Sequence, residues 1–205
     1  CDRTAPFPCL SRRLLIGGAA GTIVSGCLRD VALAEKRDAE EKLIAKIIDR
    51  MSIAEKAAQL FVVKAAGTLM TSGFEQLLTG LQPGGVIFFA GNIGTAKDLR
   101  GFLKNIHRSN RAIPPMIAID QEGGPVTRLP GDPAPGAVEL GQKSDKVVRQ
   151  KARQRAEFLS DYGFDVNFAP VADVAYKPTS FMAARSFGAD PDVVAAKVDD
   201  FVRGS

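Results

Sequence analysis

The sequence predicts an α/β fold built on a parallel sheet, and two observations carry that reading. Short apolar runs at residues 60–63, 86–89, 116–119 and 166–169 alternate with segments whose apolar residues recur every three or four positions. Strands that alternate with helices in this way are joined by right-handed crossovers and lie parallel. The two longest stretches without periodicity follow the third and fourth runs, so both leave the same edge of the sheet. In parallel α/β architectures that edge is where ligands bind.

The elements come in order along the chain. Ser11-Arg12-Arg13 precedes a short, weakly apolar stretch that ends in Val24-Ser25-Gly26-Cys27. Residues 1–27 look like a twin-arginine export signal closing in a bacterial lipobox, which predicts an exported cell-envelope lipoprotein acylated at Cys27. An uncleaved anchor or a chance apolar patch is the competing reading. The stretch is shorter than the roughly 20 residues that span a bilayer. All three cysteines lie in this leader, so a processed chain keeps one and forms no disulfide. Residues 28–42 are polar and charged and read as a tether. The folded part, 43–205, opens with Leu43, Ile44, Ile47, Ile48 and Met51 at helical spacing.

Ser52 with Glu55 forms a capping box for a second short helix, and the first strand comes after it. Phe74 to Leu81 reads as a helix, broken by Pro83-Gly84-Gly85 ahead of the second strand. Thr95 and Asp98 cap the next helix, which carries Leu99, Phe102, Leu103 and Ile106 on one face. Pro114-Pro115 leads into the third strand, and a long loop runs to about residue 141. Ser144 opens a helix through Val147, Val148, Ala152, Ala156, Leu159 and Tyr162, with Gly163 as its C-cap. After the fourth strand a second long loop reaches Asp190-Pro191, an N-cap with proline at the first helical position. Val194, Val198, Phe201 and Val202 mark the apolar face of the last helix.

Composition excludes several functions. Net charge is +4, but the charges are interspersed, and the densest basic stretch, residues 143–155, has helical spacing. That is a solvated helix surface and not the clustered basic face a nucleic acid needs. His107 is the only histidine, which rules out a multi-histidine metal site, and its place near a helix end reads as solvated. No Gly-x-Gly-x-x-Gly and no Walker lysine follow the first strand, so nucleotide binding has no support. With 205 residues the chain is shorter than the about 250 of a closed eight-stranded barrel, while an open doubly wound sheet fits the length.

The chemistry gathers after the third strand. Ile119-Asp120-Gln121-Glu122-Gly123-Gly124 passes into Thr127-Arg128-Leu129. Two carboxylates and a guanidinium meet there, and the glycines permit a tight turn or close approach to a ligand.

Three stretches together resemble the catalytic barrel of glycoside hydrolase family 3, in its bacterial β-N-acetylhexosaminidase branch. They are residues 83–93, residues 119–129, and residues 163–174 followed by Ala184-Arg185-Ser186-Phe187-Gly188-Ala189-Asp190-Pro191. The resemblance implies a TIM-type (β/α)8 barrel, represented here by about its first four β/α units. It implies a retaining glycosidase that removes terminal β-N-acetylglucosamine from cell-wall or chitin-derived saccharides without metal or cofactor. Contact with the membrane is then expected only through Cys27. Asp120, Arg128 and Arg185 fall on family positions that hold the sugar at the cleavage point. A carboxylate accepts from adjacent hydroxyls and a guanidinium fork donates to others. Glu122 and Asp173 are expected just behind them. The plainer alternatives are Asp120 as a loop cap, the two arginines as surface or ion-pair residues, and Glu122 as a general acid. Pro125 departs from the family, which usually has arginine there; proline fixes φ and removes a donor.

The same resemblance implies a nucleophilic aspartate late in the barrel and a histidine loop serving as acid/base. Neither pattern occurs up to Ser205, so no catalytic residue is expected within these residues and the chain reads as the front of an enzyme. A non-catalytic envelope lipoprotein with residual sugar binding, and a β-glucosidase of the same family, are the alternatives.

Overall fold

A computed structural model describes the backbone of residues 20–109 and 113–205, and side chains from residue 35 onward. The double arginine, Cys1, Cys9 and the side chain of Cys27 lie outside the described residues. The chain divides after Met51 into two units.

The first unit carries one long helix, α1 (Ala20–Arg50). It runs through the residues expected as a tether. Alanine, glutamate, lysine, arginine and leucine dominate residues 32–50, and all are strong helix formers. Asp38 and Lys42 pair at 2.6 Å one turn apart, acid before base, as favours a helix. Leu43, Ile44, Ile47 and Ile48 are exposed on it, so the compact α/β unit begins at Ser52 and not at residue 43. Among the described residues no helix is long and apolar enough to cross a membrane.

The second unit contains α2 (Ile53–Ala58), β1 (Val62–Lys64), α3 (Ser72–Leu81), β2 (Gly85–Phe88), α4 (Ala96–Arg108), β3 (Met116–Ile119), α5 (Ala137–Gly141), α6 (Asp145–Tyr162), β4 (Val166–Asn167) and α7 (Pro191–Gly204). All strand pairs are parallel and the order is β1-β2-β3-β4. A doubly wound sheet reverses direction at a switch point, whereas a barrel steps round one way. The stepwise order therefore selects the barrel over the open doubly wound sheet.

Alternation assigns the two faces of the sheet. Val86, Phe88, Ile117 and Ile119 point to one side and pack with Phe74 and Leu78 of α3, four residues of α4, and Leu159 of α6. Phe88 sits edge-on to both Phe102 and Phe164, at 5.2 and 5.7 Å between ring centres, geometry that adds to simple burial. On the opposite side Val62 and Met116 are exposed and Ile87 is half-buried. A second cluster joins α5, α6 and α7 through Leu140, Val148, Ala152, Phe187, Val194 and Phe201; it holds the segment just after Arg185.

Local signals match the structure closely at the caps. Ser52 and Glu55 make the reciprocal capping box, Thr95 accepts from the Asp98 amide, and the Asp190 side chain caps α7 ahead of Pro191. Gly163 ends α6 at φ 102°, a conformation only glycine takes freely. Four expectations shift. β1 starts at Val62 because Leu60 and Phe61 still bond back to α2, and both are exposed. β4 stops at Asn167, whose side chain turns to the neighbouring loop, and Pro170 soon removes a donor. The loop after β3 contains α5, too short to show a period. Val202, expected on the apolar face of α7, is exposed.

Candidate functional site

Asp120, the first residue beyond β3, stands at the C-terminal edge of the sheet. The loop beyond it is organised by Gln121, which is fully buried. Its Oε1 accepts from the amides of Arg128 and Leu129 at 2.8 and 2.9 Å. Its Nε2 donates to the Leu129 carbonyl and to Asp132 Oδ2 at 3.0 and 2.9 Å. Its main chain is gripped by Asn167, which accepts from the Gln121 amide and donates to its carbonyl. A primary amide has two donors and one acceptor oxygen, and all are used. The result folds residues 121–129 back on themselves and carries Arg128 over Asp120.

Within that fold a small bridge joins Gly123 and Val126. Its bonds are donated by Glu122 and Val126. None needs an amide at position 125, so exposed Pro125 is accommodated without a lost bond. Gly123 has φ 79°, and a Cβ there would collide with the Arg155 guanidinium.

Three ion pairs converge on this loop. Arg128 Nη2 reaches Asp120 Oδ2 at 3.3 Å, with both side chains partly exposed. The guanidinium of Arg128 lies 5.6 Å from the Phe89 ring, and its buried Nε has no partner among the described residues. Arg185 grips Glu122 with two bonds, Nε to Oε2 at 2.8 Å and Nη2 to Oε1 at 2.5 Å. This fork-to-carboxylate pairing is the strong kind. The bonds to Glu122 hold the guanidinium's pKa above its usual value; burial opposes them, and Asp173 and Asp120 add attraction. Arg155 of α6 is buried and donates to Asp132, to the Glu122 carbonyl, and to the carbonyls of Ala134 and Pro135, at 2.7 to 2.9 Å.

The structure thus joins Asp120 directly to Arg128, and places Arg185 on Glu122, two residues along the same loop. Both arginines are ion-pair residues, and their partners are the loop's own acids. Glu122 has both oxygens engaged by Arg185, so its carboxylate is turned to that guanidinium. Asp173 is exposed; its carbonyl accepts from Ser186 Oγ at 2.6 Å, and its carboxylate acts on Arg185 only through space. His107 contacts the Gly163 carbonyl at 3.1 Å, just ahead of β4 and so at the opposite edge of the sheet. Among the described residues no group of three or more His, Cys, Asp or Glu is placed to hold a metal.

Sequence reasoning missed Gln121, Asp132, Arg155 and Asn167, which hold the loop. It placed Arg155 on a solvated helix surface. The signal was present, since Val148, Ala152, Arg155 and Leu159 share one helical stripe and all are buried. Also missed is the Phe89–Lys64 contact, 5.8 Å from ammonium to ring centre, at the ends of β2 and β1.

A stepwise parallel sheet with carboxylates and guanidiniums at its C-terminal edge defines a barrel-type α/β domain with a charged loop cluster at the edge where such folds bind ligands. Residues 52–205 match the glycosyl hydrolase family 3 N-terminal domain, and the chain belongs to that family. It is similar to the beta-hexosaminidase LpqI of Mycobacterium tuberculosis, 33% identical over 162 residues, which are 75% of this chain and 40% of that protein. A beta-hexosaminidase of Bordetella avium is 35% identical over 153 residues, 70% of this chain and 43% of that protein. Among solved structures, NagZ from Neisseria gonorrhoeae in complex with N-trifluoroacetyl-D-glucosamine superposes with a TM-score of 0.65 at 29% identity. It covers 70% of this chain and 45% of that one. Mycobacterium tuberculosis LpqI gives 0.68 at 29% identity, with 78% and 47% covered. The chain spans less than half the length of each of these relatives.

Proposed function

We propose that this chain supplies the sugar-holding part of a retaining β-N-acetylhexosaminidase that removes terminal β-N-acetylglucosamine from cell-wall or chitin-derived saccharides. The observation that carries the reading is the placement of Asp120 with Arg128, and of Arg185 fixed by Glu122, at the ligand-binding edge of a family 3 fold. Arg128 occupies one oxygen of Asp120, and the other is open to a pair of ring hydroxyls. Glu122 immobilises Arg185, so a donor of fixed direction costs little ordering entropy when sugar arrives. Hydroxyl bonds of this kind strengthen as the ring distorts toward the oxocarbenium-like transition state. The nucleophile and the acid/base group come from other residues.

The test is a protein carrying this chain within the full length of its relatives, assayed on a chromogenic N-acetylglucosaminide and on the matching glucoside. D120N is expected to lower kcat/KM about 100-fold, a loss of roughly 3 kcal/mol of transition-state binding, with unchanged circular dichroism. Preference for the glucoside would instead assign a β-glucosidase. The 205-residue chain alone is expected to bind N-acetylglucosamine weakly and to turn over neither substrate.

Export and lipid anchoring at Cys27 belong to the same proposal. They are supported by Arg12-Arg13 and Val24-Ser25-Gly26-Cys27. Metabolic labelling with an alkyne fatty acid tests them: the label is expected on the chain and absent from C27S.

A further inference from the structure

We propose that Phe181 is a stacking platform for a second sugar ring, next to the one held at Asp120; the inference rests on the hexosaminidase reading. Four aromatic side chains are exposed among the described residues. One, Phe61, precedes β1 at the opposite edge of the sheet. The other three, Phe168, Tyr176 and Phe181, at 49, 73 and 78% exposure, all stand in the loop between β4 and α7 that also carries Arg185. Aromatic residues elsewhere in the unit are buried or half-buried, so this loop departs from the pattern of the rest.

Phe181 is the one tied to the site by contact. The Arg185 guanidinium lies 5.1 Å from its ring centre, and that guanidinium is itself locked on Glu122. A chain of contacts therefore runs from the loop after β3 through Glu122 and Arg185 to Phe181. Exposure rises steeply along it: the Glu122 and Arg185 side chains are 7 and 20% exposed, against 78% for Phe181. The Asp120 side chain is 20% exposed, so a saccharide that starts there and extends outward reaches the more exposed surface to which Phe181 belongs. The axial C–H face of a pyranose is apolar and suits an aromatic face, while its edge hydroxyls remain hydrated. The ligand class is thus a β-linked saccharide of at least two rings.

The experiment compares N-acetylglucosamine with its β-1,4 disaccharide, titrated into the unmodified 205-residue chain and into F181A and F181W. Covering one ring face is expected to favour the disaccharide about tenfold in the unmodified chain. F181A should abolish that preference, leaving monosaccharide affinity and Tm unchanged. The natural sequence has no tryptophan, so F181W gives a single reporter whose fluorescence should respond to the disaccharide and not to the monosaccharide. An unchanged disaccharide affinity in F181A, or a flat tryptophan signal while the disaccharide binds, overturns the inference alone. Absence of binding of both sugars to the unmodified chain overturns the functional reading and the inference with it.

Discussion

Arg155 and Arg128 approach the same loop from two sides and end in opposite states. Arg155 is 1% exposed and makes four hydrogen bonds, three of them to main-chain carbonyls. Arg128 is about a quarter exposed, makes one bond at 3.3 Å, and keeps a buried Nε without a partner. A satisfied buried guanidinium fixes a backbone path. An under-satisfied one beside a part-exposed carboxylate has hydrogen-bonding capacity left for a ligand. The contrast separates the residues that build the loop from those with capacity left to meet a ligand more clearly than residue type does.

The widest gap between the two should be in stability. R155M leaves Asp132 buried without its cation and is expected to cost about 3–5 kcal/mol, read by urea unfolding monitored by circular dichroism. If R128A destabilises by as much, the contrast fails. Next is Q121L, which strands the Arg128 and Leu129 amides. A loss of about 2–4 kcal/mol is expected from two unpaired buried donors, together with weaker N-acetylglucosamine binding, because Arg128 loses its place over Asp120. R128A itself should shift stability by no more than about 1 kcal/mol, as expected for a part-exposed pair. It should weaken monosaccharide binding several-fold by NMR titration.

The smallest effect sharpens the comparison from outside the site. Lys197 donates to Asp145 at 2.7 Å, and this bond depresses the carboxyl's pKa. A group whose pKa is lower folded than unfolded stabilises above its unfolded pKa and loses that contribution as pH falls through the folded value. The Tm difference between the natural chain and D145N should therefore be small, constant through neutral pH, and shrink in acid below the usual aspartate range. A difference that grows on acidification would contradict the assignment.

Much of the fold was legible because its signals are local. A capping box such as Ser52 and Glu55, a C-cap glycine such as Gly163, and a proline after an N-cap such as Asp190 each work within four residues. Strand ends were less legible, since β1 begins where α2 releases its last amides, which a hydropathy run does not record. Motifs single out Asp120, Arg128 and Arg185 as expected sugar contacts, yet the Glu122–Arg185 clamp spans 63 residues and the Arg155–Asp132 pair 23. Those distances are closed by tertiary packing of α6 and of the segment before α7. Charge density alone therefore put Arg155 on the outside.

Gln121 holds position 128 through that residue's main-chain amide, and the arginine side chain takes no part in the bond. The main-chain support of the loop at position 128 therefore does not depend on the arginine side chain. Backbone and side chain at this position answer to different partners, so a substitution there probes what faces Asp120 without touching the support beneath it.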